Sequence, residues 1–271
     1  MRTLAGLLIV LLSAGCASFG KPPVTPIIDK LPAASAEGQW KLVWNDEFDG
    51  KNLDESKWDV PEFRRRDAQW TRRAISLDGK SNLLLKVFKE GSTYYDGCVR
   101  TRGKYEKTFG YFVARMKLHK YTGHWPAFWL YSESVNNVGD EGRDGTEIDI
   151  MEIPTLDDKV QHNLHWDGYG KEHKTAGLIS TIPGVIEGYH DFGLLWTPGE
   201  YVFYVDGAEV WRTQAGGVCQ VPLYIKLSDE IQFGDWAGDI RESTVPDETL
   251  VDYVRVYDLI GPDGKPAYGP K

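Results

Sequence analysis

Three acidic residues, Glu147, Asp149 and Glu152, stand in the run Asp144-Gly145-Thr146-Glu147-Ile148-Asp149-Ile150-Met151-Glu152-Ile153. The isoleucines favour an extended strand. Side chains alternate along a strand, so Glu147 and Asp149 share a face, whereas Glu152 has the wrong parity. A single extra residue near Met151, a β-bulge, restores it and gathers all three acids on one face. Ile148 and Ile150 then point into a core. A solvated acidic face normally mixes in Lys or Thr, and here no base is interleaved. Along a bulged backbone the two glutamates are about 13 Å apart. Leaning over the shorter Asp149, their carboxyls can approach to about 5–5.5 Å, the spacing of a retaining displacement at an anomeric carbon. One carboxylate then attacks, and the other protonates the leaving oxygen and later deprotonates water. Asp149 between them shares a proton or hydrogen bond and helps set their pKa values.

The flanking segments suit a sugar. Gly123-His124-Trp125-Pro126-Ala127-Phe128-Trp129 carries two indoles four residues apart. Trp125 is the expected stacking platform; Trp129 is a second candidate, and also the better candidate for a core residue. Downstream, His162-Asn163-Leu164-His165-Trp166 reads as the neighbouring strand, with His165 placed to meet a leaving-group sugar. A zinc site on His162 and His165 is the rival, but no third ligand stands at a telling spacing. The stretch Glu230-Ile231-Gln232-Phe233-Gly234-Asp235-Trp236 adds Glu230 and Trp236 as residues expected to meet substrate in a loop.

These residues need a frame. Alternation with a period of two runs from Trp40 to Tyr257, as in Phe112, Ala114, Met116 and Leu118, and no long amphipathic helix appears. Asp78-Gly79 and Asp206-Gly207 mark hairpin turns. No repeat of fixed period is visible, which argues against a propeller or solenoid. The expected fold is all-β, a sandwich of two antiparallel sheets in one domain. In a chain of 271 residues, 13 % aromatic residues provide ample apolar area for its core, and exclude disorder of the bulk. The net charge of -9 argues against nucleic acid as a partner.

Residues 1–15 read as a signal peptide: one Arg, an apolar run from Leu4 to Leu12, then small residues. The run is shorter than the roughly 20 residues a membrane span takes. Ser13-Ala14-Gly15-Cys16 resembles a bacterial lipobox, with Cys16 as the lipidated residue; simple secretion is the alternative. Residues 16–38, with Pro22, Pro23, Pro26 and Pro32, read as a tether. The folded domain is expected at 39–260, followed by a tail at 261–271. Export with a lipid anchor as the sole membrane contact is the expected location, and a monomer the expected state. Cys98 and Cys219 form an even pair, which leaves a disulfide and two buried thiols both open.

At the acidic run the sequence resembles glycoside hydrolase family 16, in the bulged Glu-x-Asp-x-x-Glu form of its laminarinase-like and agarase-like members. Trp44-Asn45-Asp46-Glu47-Phe48-Asp49-Gly50, Phe109 to Arg115, Trp125 to Trp129 and Val251 to Tyr257 carry the resemblance across the domain. It implies a concanavalin A-like jelly roll with an open concave cleft for a polysaccharide. Glu147 would be the nucleophile, Glu152 the general acid/base and Asp149 their helper. Internal β-1,3 or β-1,4 linkages of glucans, galactans or poly-N-acetyllactosamine would be the targets, with no cofactor required. A structural calcium held by Glu47 and Asp252 is a further expectation. Leu227 to Trp236 departs from the laminarinase pattern and puts plain laminarin in doubt. A transglycosylase uses the same residues. A lectin on the same sandwich would need the cleft and not the acids.

Overall fold

The computed structural model describes residues 31–33, 38–234 and 236–268. The signal segment, Cys16 and most of the tether lie outside the described residues. Among those described, the period-two pattern resolves into seventeen strands. The first half of the chain holds β1 (Gln39–Asp46), β2 (Arg64–Arg65), β3 (Ala68–Trp70), β4 (Ile75–Leu77), β5 (Leu83–Glu90), β6 (Thr93–Arg100), β7 (Glu106–Lys107), β8 (Gly110–Lys117) and β9 (Trp125–Tyr131). The second half holds β10 (Thr146–Glu152), β11 (Lys159–Trp166), β12 (Lys174–Thr181), β13 (His190–Trp196), β14 (Tyr201–Val205), β15 (Ala208–Thr213), β16 (Leu223–Glu230) and β17 (Asp247–Ile260).

They form the expected jelly-roll sandwich. One sheet runs β15-β14-β13-β8-β17, and the long β17 then pairs with both β1 and β5. The other runs β12-β11-β10-β9-β16, closed by β6 and β7. The hairpin β5-β6 leaves the first sheet and joins the second. One pairing departs from the antiparallel expectation: the short β3 lies parallel to β6.

The core lies between the sheets, where alternate residues of facing strands meet. Phe112, Ala114 and Met116 of β8 pack there with Phe128 and Leu130 of β9 and Ile148 and Ile150 of β10. The other face of β8 is apolar too, and its Tyr111 and Val113 are buried in a second cluster. Leu31 and Trp40 help to cover that cluster, and Trp40 Nε1 donates to the Pro32 carbonyl at 2.8 Å. The end of the expected tether is therefore packed on the domain, because an apolar outer face needs a cover. Beyond β17 the chain turns back, with Ala267 N donating to Leu259 O.

Cys98 and Cys219 are buried free thiols, the second of the two readings left open by the even pair. Cys98, on β6, pairs with Ser228 of β16, while Cys219 precedes Leu223 at the start of β16. About 16 Å of strand separates Leu223 from Ser228. Burial pushes the two thiols up to about 12 and about 11.

Candidate active site

The register of β10 contains the bulge. Against β9, Asp149 pairs with Trp129 and Met151 with Phe128, so Ile150 is the extra residue. Against β11, Asp149 pairs with Asn163 and Glu152 with Gln161, again one residue too many on β10. The cause is legible: Ile150, Met151 and Ile153 are all buried in the core, which an unbroken alternation cannot achieve. The result is that Glu147, Asp149 and Glu152 line one cleft together.

The cleft has two lobes that share Glu147, Tyr169 and Arg66. One, about 460 Å³, is lined by Trp70, Trp129, Tyr131, Arg65 and Lys226 among others. The other, about 500 Å³, holds Asp149, Glu152, Asn163, His165, Trp125 and Trp236.

Each acid has its own partner. Tyr169 donates its hydroxyl to Glu147 Oε2 at 2.6 Å. Asn163 Nδ2 donates to Glu152 Oε2 at 2.6 Å. His165 Nε2 lies 3.4 Å from Asp149 Oδ2, and its Nδ1 lies 3.0 Å from His173 Nε2. Asn163 is free to approach Glu152 because Gly177 faces it across β12; a Cβ there would lie 2.2 Å from Asn163 Oδ1.

The surroundings separate the two glutamates electrostatically. Burial raises the pKa of Glu147, but the Tyr169 bond, Lys226 and Arg65 oppose the rise. Burial lifts Glu152 well above the usual carboxylate range, and the charges of Asp149 and Glu147 add to it. Asp149 is lifted in the same way by burial and by Glu147. The group favoured as a carboxylate is thus Glu147, and the group favoured as an acid is Glu152.

The aromatic residues depart from expectation. Trp125, Ala127, Trp129 and Tyr131 occupy alternate positions of β9 on the cleft side, so Trp129 is not in the core between the sheets. Neither indole is open, because cations cover them. Lys226 Nζ sits 3.4 Å from the Trp129 ring centroid and Arg66 Cζ 4.9 Å from that of Trp125. Trp236 is 38 % exposed and meets Trp125 edge to face at 6.0 Å. It is the more open platform.

Glu230, expected to meet substrate, lines neither lobe of the cleft. It is buried and accepts from Nε of both Arg65 and Arg66, at 3.1 and 3.0 Å, so it holds two arginines on the cleft.

The expected metal donors are taken by other partners. Both Glu47 oxygens accept from Arg255, at 2.8 and 2.7 Å, and Asp252 lies 3.4 Å from Arg115. Guanidinium groups thus stand where the expected calcium would need open carboxylates, and the pair does not fit that ion. His162 is turned inward, bonded to Ile150 O and Ser180, on the face of β11 opposite His165, so the two cannot share a zinc ion. Donor atoms of Glu147, Asp149 and His165 lie within 4.8 Å of one another, as do those of His119, His124 and Asp229. The His119 and His124 ring centroids are 3.9 Å apart, with their planes tilted by 43°.

Several residues of the cleft were not anticipated. Asn163 shares a face with His165 by simple alternation, so the period of β11 contained that signal. Arg64-Arg65-Arg66 was a basic triplet in an acidic chain. Lys226 was the charged residue between Ile225 and Leu227, which identifies the cleft face of β16. Tyr169, in the loop after β11, carried no pattern.

Comparison with known proteins decides the lineage of this site. The model of glycosyl hydrolases family 16 matches residues 64–255. The chain belongs to this family. As a family 16 member with these acids, it is a glycoside hydrolase. It is similar to a keratan-sulfate endo-1,4-beta-galactosidase of Sphingobacterium multivorum, 29 % identical over 83 % of this chain and 56 % of that protein. A beta-glucanase of Rhodothermus marinus is 29 % identical over 95 % of this chain and 94 % of that one. Among solved structures, an endo-beta-1,3-glucanase from Pyrococcus furiosus superposes with a TM-score of 0.70 at 28 % identity, covering 83 % of this chain and 96 % of that one.

Proposed function

We propose that this family 16 enzyme is an endo-acting, retaining β-glycosidase that cuts internal linkages of a galactan-type or poly-N-acetyllactosamine chain. The bulge at Ile150 carries the reading, because it sets Glu147 and Glu152 on one face, with the pKa of Glu152 raised well above the usual range and that of Glu147 held back by its hydrogen bond and cations. Glu147 attacks the anomeric carbon while Glu152 donates its proton to the leaving oxygen. Glu152 then takes a proton from the water that hydrolyses the glycosyl-enzyme. An open cleft with two lobes suits cutting within a chain. The nucleophile lies beneath the sugar whose bond breaks, and the acid lies beside the leaving sugar. The lobe with Glu147 alone is therefore the glycone side, and the lobe that adds Glu152 and His165 is the leaving-group side. A galactose-containing chain is favoured over a glucan by the similarity to the keratan-sulfate endo-galactosidase.

The test is a panel of laminarin, mixed-linkage glucan, agarose, porphyran and poly-N-acetyllactosamine, with products read by mass spectrometry and anomers by NMR. Internal cleavage of a galactose-containing chain with first-formed β product is expected. Glu147→Gln and Glu152→Gln should each lower kcat by at least about 10³-fold. First-formed α product, or turnover of the glucans alone, would overturn the assignment. The Ser13-Ala14-Gly15-Cys16 ending supports an exported lipoprotein; fatty-acid label lost in Cys16→Ala, with release from membranes, is the expected outcome.

A further inference from the structure

Lys226 is the unusual residue of the cleft. It lies in the middle of β16, flanked by Ile225 and Leu227, which point into the core. Its side chain faces the glycone lobe and is 7 % exposed. An ammonium so placed normally pairs with a carboxylate, since an unpaired buried charge is costly. Among the described residues no carboxylate lies within ion-pair distance of Lys226 Nζ, and no hydrogen-bond acceptor meets it. Three aromatic rings surround it instead. Its nitrogen is 3.4 Å from the centroid of Trp129, 5.1 Å from that of Tyr131 and 5.4 Å from that of Trp70. The rings attract the cation through their faces, yet they accept none of its three N–H bonds in the manner of an oxygen.

A second cation faces the same lobe. Arg65 packs its guanidinium over Trp70 at 5.6 Å, and Glu230 holds it only through Nε. Its two terminal nitrogens make no hydrogen bond among the described residues. Arg66 borders the lobe too and shares the same Glu230. Four cations, Lys226, Arg65, Arg66 and Arg100, thus line the lobe against two carboxylates, Glu147 and Glu133, in a protein whose net charge is -9. A neutral sugar needs no such excess. A planar guanidinium beside a point-like ammonium is the donor set that suits an oxyanion.

We propose that the glycone lobe binds an anionic sugar, a sulfate ester or a sugar carboxylate, between the Lys226 ammonium and the terminal nitrogens of Arg65. This deepens the glycosidase reading and rests on it for the orientation of the lobe. Lys226 and Arg65 act here as specificity residues for that oxyanion, and both also hold down the pKa of the neighbouring Glu147.

Calorimetry on the Glu147→Gln protein tests this without turnover. The probes are an N-acetyllactosamine tetrasaccharide, its 6-O-sulfated form and its sialylated form, in 50 and 200 mM NaCl. One anionic probe should bind at least about tenfold tighter than the neutral one, as for a charge-assisted contact. Which one does so distinguishes sulfate from carboxylate. The preference should shrink in the higher salt. Adding Lys226→Gln should reduce it to below about threefold, whereas Lys226→Arg should retain it. Equal affinity for all three probes, no binding of any, or a preference untouched by Lys226→Gln would overturn the proposal. Cleavage by the unsubstituted enzyme is measured in parallel. Chain cutting without anionic preference sinks this site alone. Anionic preference without chain cutting sinks the glycosidase reading alone.

Discussion

Tyr169 donates its hydroxyl to Glu147 Oε2 at 2.6 Å, from a loop 22 residues downstream of the carboxylate. The bond favours the ionised form of Glu147, the proposed nucleophile, against the burial that raises its pKa. Tyr169→Phe removes it and leaves the ring. Glu147 then takes up a proton at higher pH, so the acid limb of the kcat/KM profile should move upward. A hydrogen bond to a charged group contributes about 1.5–3 kcal/mol, so the loss near neutral pH should be roughly 10- to 100-fold. An unchanged acid limb would show that the bond does not tune the nucleophile.

Asp149 raises the pKa of Glu152 by its charge, second only to burial. Asp149→Asn should therefore lower the pKa of the acid. The basic limb of the profile, where Glu152 must still hold its proton, should move to lower pH while measurable activity remains. A limb that stays fixed would assign the basic side to another group.

Trp236 is the exposed indole, whereas Trp125 is buried beneath Arg66 and against Trp236. Trp236→Ala should lower kcat/KM about fivefold, as for loss of one stacking contact of about 1 kcal/mol, with the melting temperature nearly unchanged. Trp125→Ala should reduce both activity and melting temperature. Thermal melts beside kinetics separate the two. Full activity in Trp236→Ala would remove that residue from the binding surface.

His124 is buried behind the cleft, 2.9 Å from Asp229 and 3.4 Å from Asp247. Burial opposes its charge, but the two aspartates outweigh it and raise its pKa to about 9. The neighbouring His119 is held neutral, lowered to about 3 by burial and by His124. Since the folded pKa of His124 exceeds the unfolded value of 6.5, its contribution to stability is complete below about pH 6.5. It is lost as pH rises through about 9. Urea midpoints taken from pH 6 to 10 should fall over that window, and the fall should be smaller in His124→Gln. An equal fall in both proteins would place the titration elsewhere.

The acids were legible because they are local. Glu147, Asp149 and Glu152 sit within six residues, and alternation plus the parity of Glu152 required a bulge within a residue of where it lies. The paired sheets and the apolar alternation of β8 follow from the same period. The sequence also carried the family resemblance, through motifs spread from Trp44 to Tyr257.

What the tertiary structure alone decided is which partner each charged group takes. Glu230, expected to meet substrate, lies 165 residues from Arg65 in the chain and is claimed by it and by Arg66. Glu47 is claimed by Arg255, 208 residues away, and Cys98 and Cys219 are kept apart by the length of β16. Lys226 and Trp129 meet because β16 and β9 are neighbours in register, a pairing that no local pattern encodes. Strand period is a property of adjacent residues, so one sequence displays it. Partner choice is settled when distant strands dock, by which buried charges are left to be satisfied.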